Sequence, residues 1–140
     1  MTREDVLALI AQRQEALARR DAEAMGALYA LDAKLDSPLA GSATGRDAVV
    51  RASEAFWAAF PDATITEEPP VVDGDRATIV AEVAGRHIGT FLGLPPSGRA
   101  FRFPLVALLV FRDRAIVHER RIYDFTGLLV QVGVLKAKPA

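Results

Sequence analysis

The hydrophobic periodicity of the chain changes once along its length, and this change limits the folds open to it. Apart from a short strand predicted at Ala33–Pro38 and the loop after it, apolar residues up to residue 60 recur at helical spacing, whereas from residue 63 to residue 124 they follow the pattern of long β-strands. Helices collected at one end of a chain must cover a face of the sheet that follows them. We therefore predict an α+β domain. It has a cone-shaped, curved antiparallel β-sheet with three N-terminal helices on its concave face and a short C-terminal helix, and the open end of the cone is a natural pocket.

Capping residues and prolines indicate where the helices begin and end. Thr2 and Asp21 are suitable N-caps for the first and second helices, because their side chains can accept from free backbone N–H groups. The third helix is predicted at Arg46–Phe60, where Pro61 ends it. The last helix is predicted at Thr126–Gly133.

The strands are bounded by turn residues. Glycine, serine and proline indicate loops at Leu39–Gly45 and Gly93–Gly98. Of the strands, Ala100–Phe111 is nearly all apolar, so we expect it to be covered on both faces. The predicted strands are Ala33–Pro38, Ala63–Val72, Arg76–Phe91, Ala100–Phe111 and Ala115–Asp124.

Length and charge exclude several classes of function. The chain has 140 residues, which fits a single domain over residues 1–135 followed by a frayed tail at residues 136–140. With 17 basic and 18 acidic residues the net charge is −1, which gives no electrostatic case for binding nucleic acid or a membrane surface. It has no cysteine, no apolar run long enough to cross a membrane and no signal-peptide pattern, so we expect a cytoplasmic protein.

The last predicted strand carries an unusual number of polar residues for an apolar domain. Because side chains alternate along a strand, Ile116, His118, Arg120, Ile122 and Asp124 share one face. If this face looks into the cone, Asp124 and Arg120 line its interior. A carboxylate in an apolar cavity either finds a donor or has a raised pKa, and both states suit general acid–base chemistry. The alternative is that Asp124 only caps the helix after it.

Other candidate residues are a histidine and several aromatic side chains. His87 can act as an acid, a base or a hydrogen-bond donor, or it can be an ordinary buried strand histidine. His87 and His118 are far apart without metal-ligand spacing, and we predict no metal site. No phosphate-binding loop, nucleotide-binding fingerprint or serine-hydrolase elbow is present. The aromatic residues that we expect to hold a flat apolar ligand are Tyr29, Trp57, Phe60 and Phe91.

A series of motifs, in order along nearly the whole chain, resembles the SnoaL-like polyketide cyclase family within the nuclear transport factor 2-like superfamily of cone-shaped domains. These motifs are GRDA at 45–48, FPD at 60–62, GRHIGTF at 85–91, GLPPSGR at 93–99 and YDFTGLLVQVG at 123–133.

The resemblance implies an activity and roles for particular residues. The characterised cyclases of this family close a ring by an intramolecular aldol reaction on a polyketide ester, without metal or cofactor. The aspartate that acts as acid and base in them corresponds by motif to Asp124. His87 is retained, although Arg86 and Ile88 stand where threonines are usual. A large aromatic residue is common at the position of Arg120, and a buried cation there would favour an acidic or enolate-like ligand or pair with Asp124.

Three hypotheses follow. In the first, the protein is a cofactor-independent enzyme acting on a small apolar carbonyl compound, with Asp124 moving the proton and His87 or Arg120 stabilising the oxyanion. In the second, it is a non-catalytic domain that binds a small molecule. In the third, it resembles an epoxide hydrolase, for which only Asp124 is clearly placed. The resemblance also implies a homodimer formed through the sheet, which would cover the apolar third long strand.

Overall fold

The computed structural model describes residues 1–136 and shows a layer of helices on a single curved sheet. The helices are α1 (Arg3–Arg19), α2 (Ala22–Ala27), α3 (Arg46–Ala59) and α4 (Phe125–Gln131). The strands are β1 (Tyr29–Ser37), β2 (Gly41–Thr44), β3 (Thr64–Glu67), β4 (Val71–Asp73), β5 (Arg76–Arg86), β6 (Ala100–Arg112) and β7 (Ala115–Tyr123). Apart from Lys136, the predicted frayed tail lies outside the described residues.

The predicted caps of the first two helices are confirmed. Thr2 accepts a hydrogen bond from the backbone N–H of Asp5, whose side chain accepts in turn from the N–H of Thr2, so that a reciprocal capping box begins α1. The carboxylate of Asp21 accepts from the N–H of Ala24 at the start of α2. Gly45 precedes α3 with φ of 107°, a conformation that favours glycine.

The strands follow the order β2-β1-β7-β6-β5-β3. β4 also pairs with β5, at the start of that strand, whereas β3 pairs nearer its end. All pairs are antiparallel except β1 with β7, which run parallel. The α+β architecture with helices on a curved sheet agrees with the prediction.

Several local predictions are wrong. The strand predicted at Arg76–Phe91 ends at Arg86, so that His87 follows it, and the strand predicted at Ala33–Pro38 begins at Tyr29. The segment predicted as the loop Leu39–Gly45 contains β2, which pairs with the end of β1. The predicted strand Ala63–Val72 is two short strands, because Pro69 and Pro70 lack the backbone N–H that a continuous ladder needs.

The core has two parts on the inner side of the sheet. One lies beneath α1 and includes Val6, Ile10, Leu35, Leu109 and Ile116. The other is mainly aromatic and includes Phe60, Phe91, Phe101, Phe103 and Leu128. Both clusters contain residues of the one sheet and of the helices that cover it. A cavity between the helices and the strands is lined by members of both clusters.

A β-bulge in β7 decides which of its side chains reach the interior. Val110 of β6 is opposite His118, but the next residue, Phe111, is opposite Ile116, so Val117 is an extra residue on β7. An extra residue moves every later side chain to the other face of the sheet.

The prediction that the even-numbered side chains of β7 face the interior is therefore wrong beyond the bulge. Ile116 is fully buried, as expected, but Arg120 and Ile122 are exposed on the outer face. The residues that point inward are Glu119, Arg121 and Tyr123, of which Glu119 is fully buried. The sequence pattern could not show this change of face, because strict alternation assumes a strand without an extra residue.

Candidate functional site

A cavity of about 560 Å³ opens between the helices and the inner face of the sheet. Its size is within the range of small-molecule sites. Three of the four aromatic residues predicted to hold a ligand line it: Trp57, Phe60 and Phe91. The fourth, Tyr29, is fully buried behind the wall and is not among the lining residues. The rest of the wall is mostly alanine, leucine, isoleucine and valine, so an apolar ligand would be well accommodated.

Charged side chains interrupt this apolar wall on one side. Arg13 of α1, Glu67 of β3 and Arg121 of β7 all line the cavity. Glu119 lies behind them, with none of its side chain exposed. Charged residues are almost never this deeply buried unless they are paired.

Glu119 holds the two arginines together. One of its carboxylate oxygens, Oε1, lies 3.0 Å from Nη2 of Arg13 and accepts a 2.5 Å hydrogen bond from the hydroxyl of Tyr29. The other, Oε2, accepts from Nε of Arg121. Burial alone would raise the pKa of Glu119, but attraction to Arg121 and Arg13 outweighs it and lowers the pKa to about 2. Glu119 is therefore an anion at neutral pH, and it fixes the orientation of both guanidinium groups.

Glu67 has a different environment. Only 8% of its side chain is exposed, and its nearest charged neighbour is Arg13, with Nη1 3.7 Å from Oε2. Within residues 1–136, Oε2 of Glu67 is buried without a hydrogen-bond partner. Burial raises the pKa of Glu67, while attraction to Arg13 opposes this and repulsion from Glu119 adds to it. The pKa of this carboxyl group therefore lies above that of an ordinary glutamate.

The residues predicted as the chemical centre, Asp124 and Arg120, do not line the cavity. Asp124 is exposed and caps α4, where its carboxylate accepts a 2.8 Å hydrogen bond from the N–H of Gly127. Arg120 is exposed on the outer face of the sheet, and no ion pair joins it to Asp124 among residues 1–136. The capping alternative describes the position of Asp124 in this structure.

His87 lies within the wall behind two of the aromatic residues. It is 1% exposed, and its ring packs against Phe60 and Phe91 at centroid distances of 6.1 and 6.0 Å. Its Nδ1 accepts a hydrogen bond from the backbone N–H of Ser97 at 3.2 Å and is 3.0 Å from the hydroxyl of the same residue. His87 therefore anchors the proline-containing loop, and it is not among the residues that line the cavity.

The remaining histidine, His118, is on the outer face. Its Nε2 lies 2.6 Å from Asp36, which also accepts from the hydroxyl of Ser42 at 2.5 Å. Among residues 1–136 no three histidine or carboxylate side chains cluster as metal ligands. No helix in the described range is long and apolar enough to span a membrane.

Sequence reasoning missed the charged cluster, although part of it left a signal. Arg13 falls at the spacing of Val6, Ile10 and Leu17, which makes it a charged residue within an apolar helical stripe. Glu67 shares one face of a short strand with Ile65. The strand has only four residues, which is too few for the sequence pattern to distinguish a buried glutamate from one on the surface. Glu119 and Arg121 gave no signal, because the bulge determines their direction.

The geometry can be compared with known proteins. The family model of the SnoaL-like polyketide cyclases matches residues 8–132. Among curated proteins, aklanonic acid methyl ester cyclase AcmA of Streptomyces galilaeus is 39% identical over 61 residues. The aligned segment is 44% of this chain and 41% of that relative, so it spans less than half of either protein.

Solved structures share the fold over most of the chain. IdmH from Streptomyces antibioticus, provisionally assigned as a polyketide cyclase, is 31% identical with a TM-score of 0.75, covering 90% of this chain and 96% of its own. AclR from Streptomyces galilaeus, provisionally assigned as a hydroxylase, is 25% identical with a TM-score of 0.83, covering 99% of this chain and 87% of its own. The same cone-shaped domain thus occurs in proteins assigned to different reactions.

Proposed function

Since the chain belongs to the SnoaL-like polyketide cyclase family, we propose that it is a cofactor-independent acid–base enzyme acting on a small apolar carbonyl compound in the cavity. The reaction is an intramolecular aldol ring closure or an isomerisation through the same enolate. The observation that carries this proposal is Glu67, a buried carboxyl group in a mostly apolar wall, whose Oε2 has no hydrogen-bond partner among residues 1–136. Perturbed carboxyl groups in a cleft are typical of acid–base catalysts.

In the proposed step, Glu67 removes a proton from the carbon next to a carbonyl group. The electron pair of that C–H bond moves into the enolate, whose carbon attacks a second carbonyl carbon of the same molecule and forms a C–C bond. The resulting alkoxide then takes the proton back from Glu67. The product is an isomer of the substrate, and no other reactant is needed.

Arg13 supplies the positive charge for this step. It lines the cavity, and its Nη1 lies 3.7 Å from Glu67, so an enolate oxygen formed beside Glu67 is within its reach. Its position is fixed in advance by Glu119 and Tyr29, to both of which its Nε donates. A donor that is already oriented stabilises the developing negative charge without rearrangement.

We assign the acid–base role to Glu67 in place of Asp124, the residue that the family resemblance suggests. The assignment is supported by position, since Glu67 lines the cavity whereas Asp124 is exposed at the start of α4. A base must be within reach of the proton it removes. Arg120 and His87 have no part in the proposed step for the same reason.

The test uses aklanonic acid methyl ester, the compound in the name of the Streptomyces galilaeus relative. Its conversion to an isomer is followed by liquid chromatography with mass detection, and exchange of the proton next to the carbonyl is followed by NMR in deuterated water. Glu67→Gln should lower both rates by about 10²- to 10⁴-fold, the usual contribution of a general acid–base group.

Glu68→Gln is the matched control, because Glu68 is the adjacent residue and is exposed. It should leave both rates within about twofold of wild type, as expected for a surface change. Equal rates in the Glu67→Gln and wild-type proteins would refute the proposal. An unaltered melting temperature and tight ligand binding, with neither exchange nor isomerisation, would favour the non-catalytic binding alternative.

We further propose that the outer face of the sheet forms a homodimer. Val80, Val106 and Ile122 lie directly opposite one another across three strands and form an apolar row on that face. Val80 and Ile122 are 39% and 51% exposed in the single chain, so a partner subunit would remove considerable apolar surface from water.

The oligomeric state is tested by sedimentation velocity at micromolar concentration. Wild type should sediment as a dimer, and Ile122→Lys should sediment as a folded monomer, because a charge in the centre of the apolar row opposes burial. A monomeric wild-type protein would contradict the dimer proposal and leave the acid–base proposal untouched. The cytoplasmic location expected from the sequence remains a prediction.

A further inference from the structure

Arg121 presents positive charge to the cavity that the proposed reaction does not use. Its side chain lines the cavity and is 20% exposed. Among the hydrogen bonds of residues 1–136 it makes one, which its Nε donates to Glu119. Both terminal nitrogens of the guanidinium group are thus without a protein acceptor in that part of the chain, and they form the planar fork that matches a carboxylate.

The balance of charge around the cavity points to the same kind of ligand. Arg13 and Arg121 are cations, and Glu119 is an anion held between them. These three groups sum to one positive charge, and Arg51, which also lines the cavity, is exposed to solvent. Among the residues that the structure describes, Glu67 is the one carboxyl group in the cavity wall that can neutralise this charge. Burying uncompensated charge is costly, so the site is balanced either by ionised Glu67 or by an anion from outside.

We propose that the ligand of this cavity is an apolar carboxylic acid, bound as its carboxylate by the terminal nitrogens of Arg121. The inference rests on the proposed function for the location of the ligand and specifies its class further. The free acid of a carbonyl compound is then bound more tightly than its ester. The aromatic and aliphatic wall opposite the charges holds the rest of the molecule.

Binding an anion here affects Glu67. Glu67 faces Arg13 from α1 and Glu119 from β7, while Tyr29 from β1 and Arg121 from β7 complete the shell around Glu119. A second negative charge at Arg121 makes Glu67 more basic, so part of the protein takes up a proton when the carboxylate binds. The pKa of Glu67, already raised by burial, is thereby raised further, toward the pH at which a general acid–base group is most efficient.

The test compares anthraquinone-2-carboxylate with its methyl ester by isothermal titration calorimetry at pH 8. The wild-type protein should bind the acid about 10- to 100-fold more tightly than the ester, the range expected for charge-assisted hydrogen bonds. Arg121→Met should remove this preference, and Arg120→Met should keep it, because Arg120 is the adjacent arginine on the outer face. The wild-type comparison stands alone if Arg121→Met does not fold.

Proton uptake is measured in the same experiment by repeating the titration in phosphate and Tris buffers, whose ionisation enthalpies differ. Any proton uptake by wild type should be larger with the acid than with the ester, and Glu67→Gln should show no such difference. Equal affinity of wild type for acid and ester, retention of the preference in Arg121→Met, or larger proton uptake with the ester than with the acid would each overturn the inference.

The outcome is separable from that of the proposed function, since binding is measured without turnover. A preference for the acid that depends on Arg121, with no isomerisation of any carbonyl compound, would leave the inference standing and reject the catalytic proposal. Isomerisation that depends on Glu67, with equal binding of acid and ester, would do the reverse.

Discussion

The two faces of β7 carry adjacent arginines with opposite surroundings. Arg121 points into the cavity and pairs with Glu119, whose side chain is fully buried. Arg120 points outward and is exposed to solvent. An ion pair in water contributes little because both charges are already solvated, whereas a buried charge that loses its partner has no replacement. Residue type alone therefore says little about a charged residue, and the face of the strand decides its role.

The largest effect is expected from removing the buried anion on the inner face. Glu119→Gln leaves Arg13 and Arg121 close together without their shared counter-ion. The free energy of unfolding should fall by about 3 to 5 kcal/mol, as is typical when one partner of a buried pair is removed. Urea denaturation followed by circular dichroism measures it.

The matched control is Glu82→Gln, which removes the exposed ion pair between Glu82 and Arg102 on the outer face. The free energy of unfolding should change by less than about 1 kcal/mol, because exposed pairs contribute little. Equal losses for the two variants would remove the distinction between the faces.

The pH dependence of stability should show the same buried anion. The pKa of Glu119 is lowered from 4.5 to about 2 in the folded protein, so its contribution is present above pH 4.5 and is lost as the pH falls toward 2. A shift of this size corresponds to about 3 kcal/mol. Glu67 acts in the opposite sense, since its raised pKa makes its contribution fall as the pH rises above 4.5.

Urea titrations at intervals from pH 5 to pH 2 measure this slope. Glu119→Gln should lose most of the acid dependence, because glutamine does not titrate. An identical slope in the variant and in wild type would show that other carboxylates cause the acid loss.

A smaller effect is expected where Asp124 caps α4. Asp124→Ala removes the acceptor for the N–H of Gly127 and should lower the free energy of unfolding by about 1 kcal/mol. Asp124→Asn should lower it by less, since asparagine also caps helices. A loss above about 3 kcal/mol for Asp124→Ala would indicate a buried role that its exposure does not suggest.

The smallest effect is expected from Arg120→Met. Arg120 is exposed in the single chain and has no ion-pair partner among residues 1–136, so adding this change to the monomeric Ile122→Lys variant should alter the free energy of unfolding by less than about 0.5 kcal/mol. Chemical denaturation measures it. A clear loss would mean that Arg120 contributes to the fold from the outer face.

The fold followed from the sequence because the signals behind it are local. The capping residues Thr2 and Asp21 form the hydrogen bonds expected of them. The change from helical to strand periodicity places three helices within the first 60 residues and the long strands after them, although β1 and β2 lie between α2 and α3. β6 and β7 lie close to the strands predicted at Ala100–Phe111 and Ala115–Asp124. Each of these features depends on a few neighbouring residues, which the sequence lists directly.

The site did not follow, because it depends on register and on contacts between distant segments. One extra residue, Val117, reverses the faces of β7 and exchanges Arg120 for Arg121 at the cavity wall. Glu119 contacts Arg13, which lies 106 residues earlier in the chain. Only the folded sheet brings these charges together, although Arg13 within an apolar helical stripe could have been noticed.

We propose that Glu67, which lines the cavity, is the acid–base residue, and that Asp124, which is exposed at the start of α4, is not. The most direct test measures isomerisation of aklanonic acid methyl ester and exchange of its acidic carbon-bound proton by wild type, Glu67→Gln and Asp124→Asn in parallel. We expect both rates to fall by at least about 10²-fold in Glu67→Gln and to stay close to the wild-type rates in Asp124→Asn. Full activity in Glu67→Gln together with loss in Asp124→Asn would contradict it.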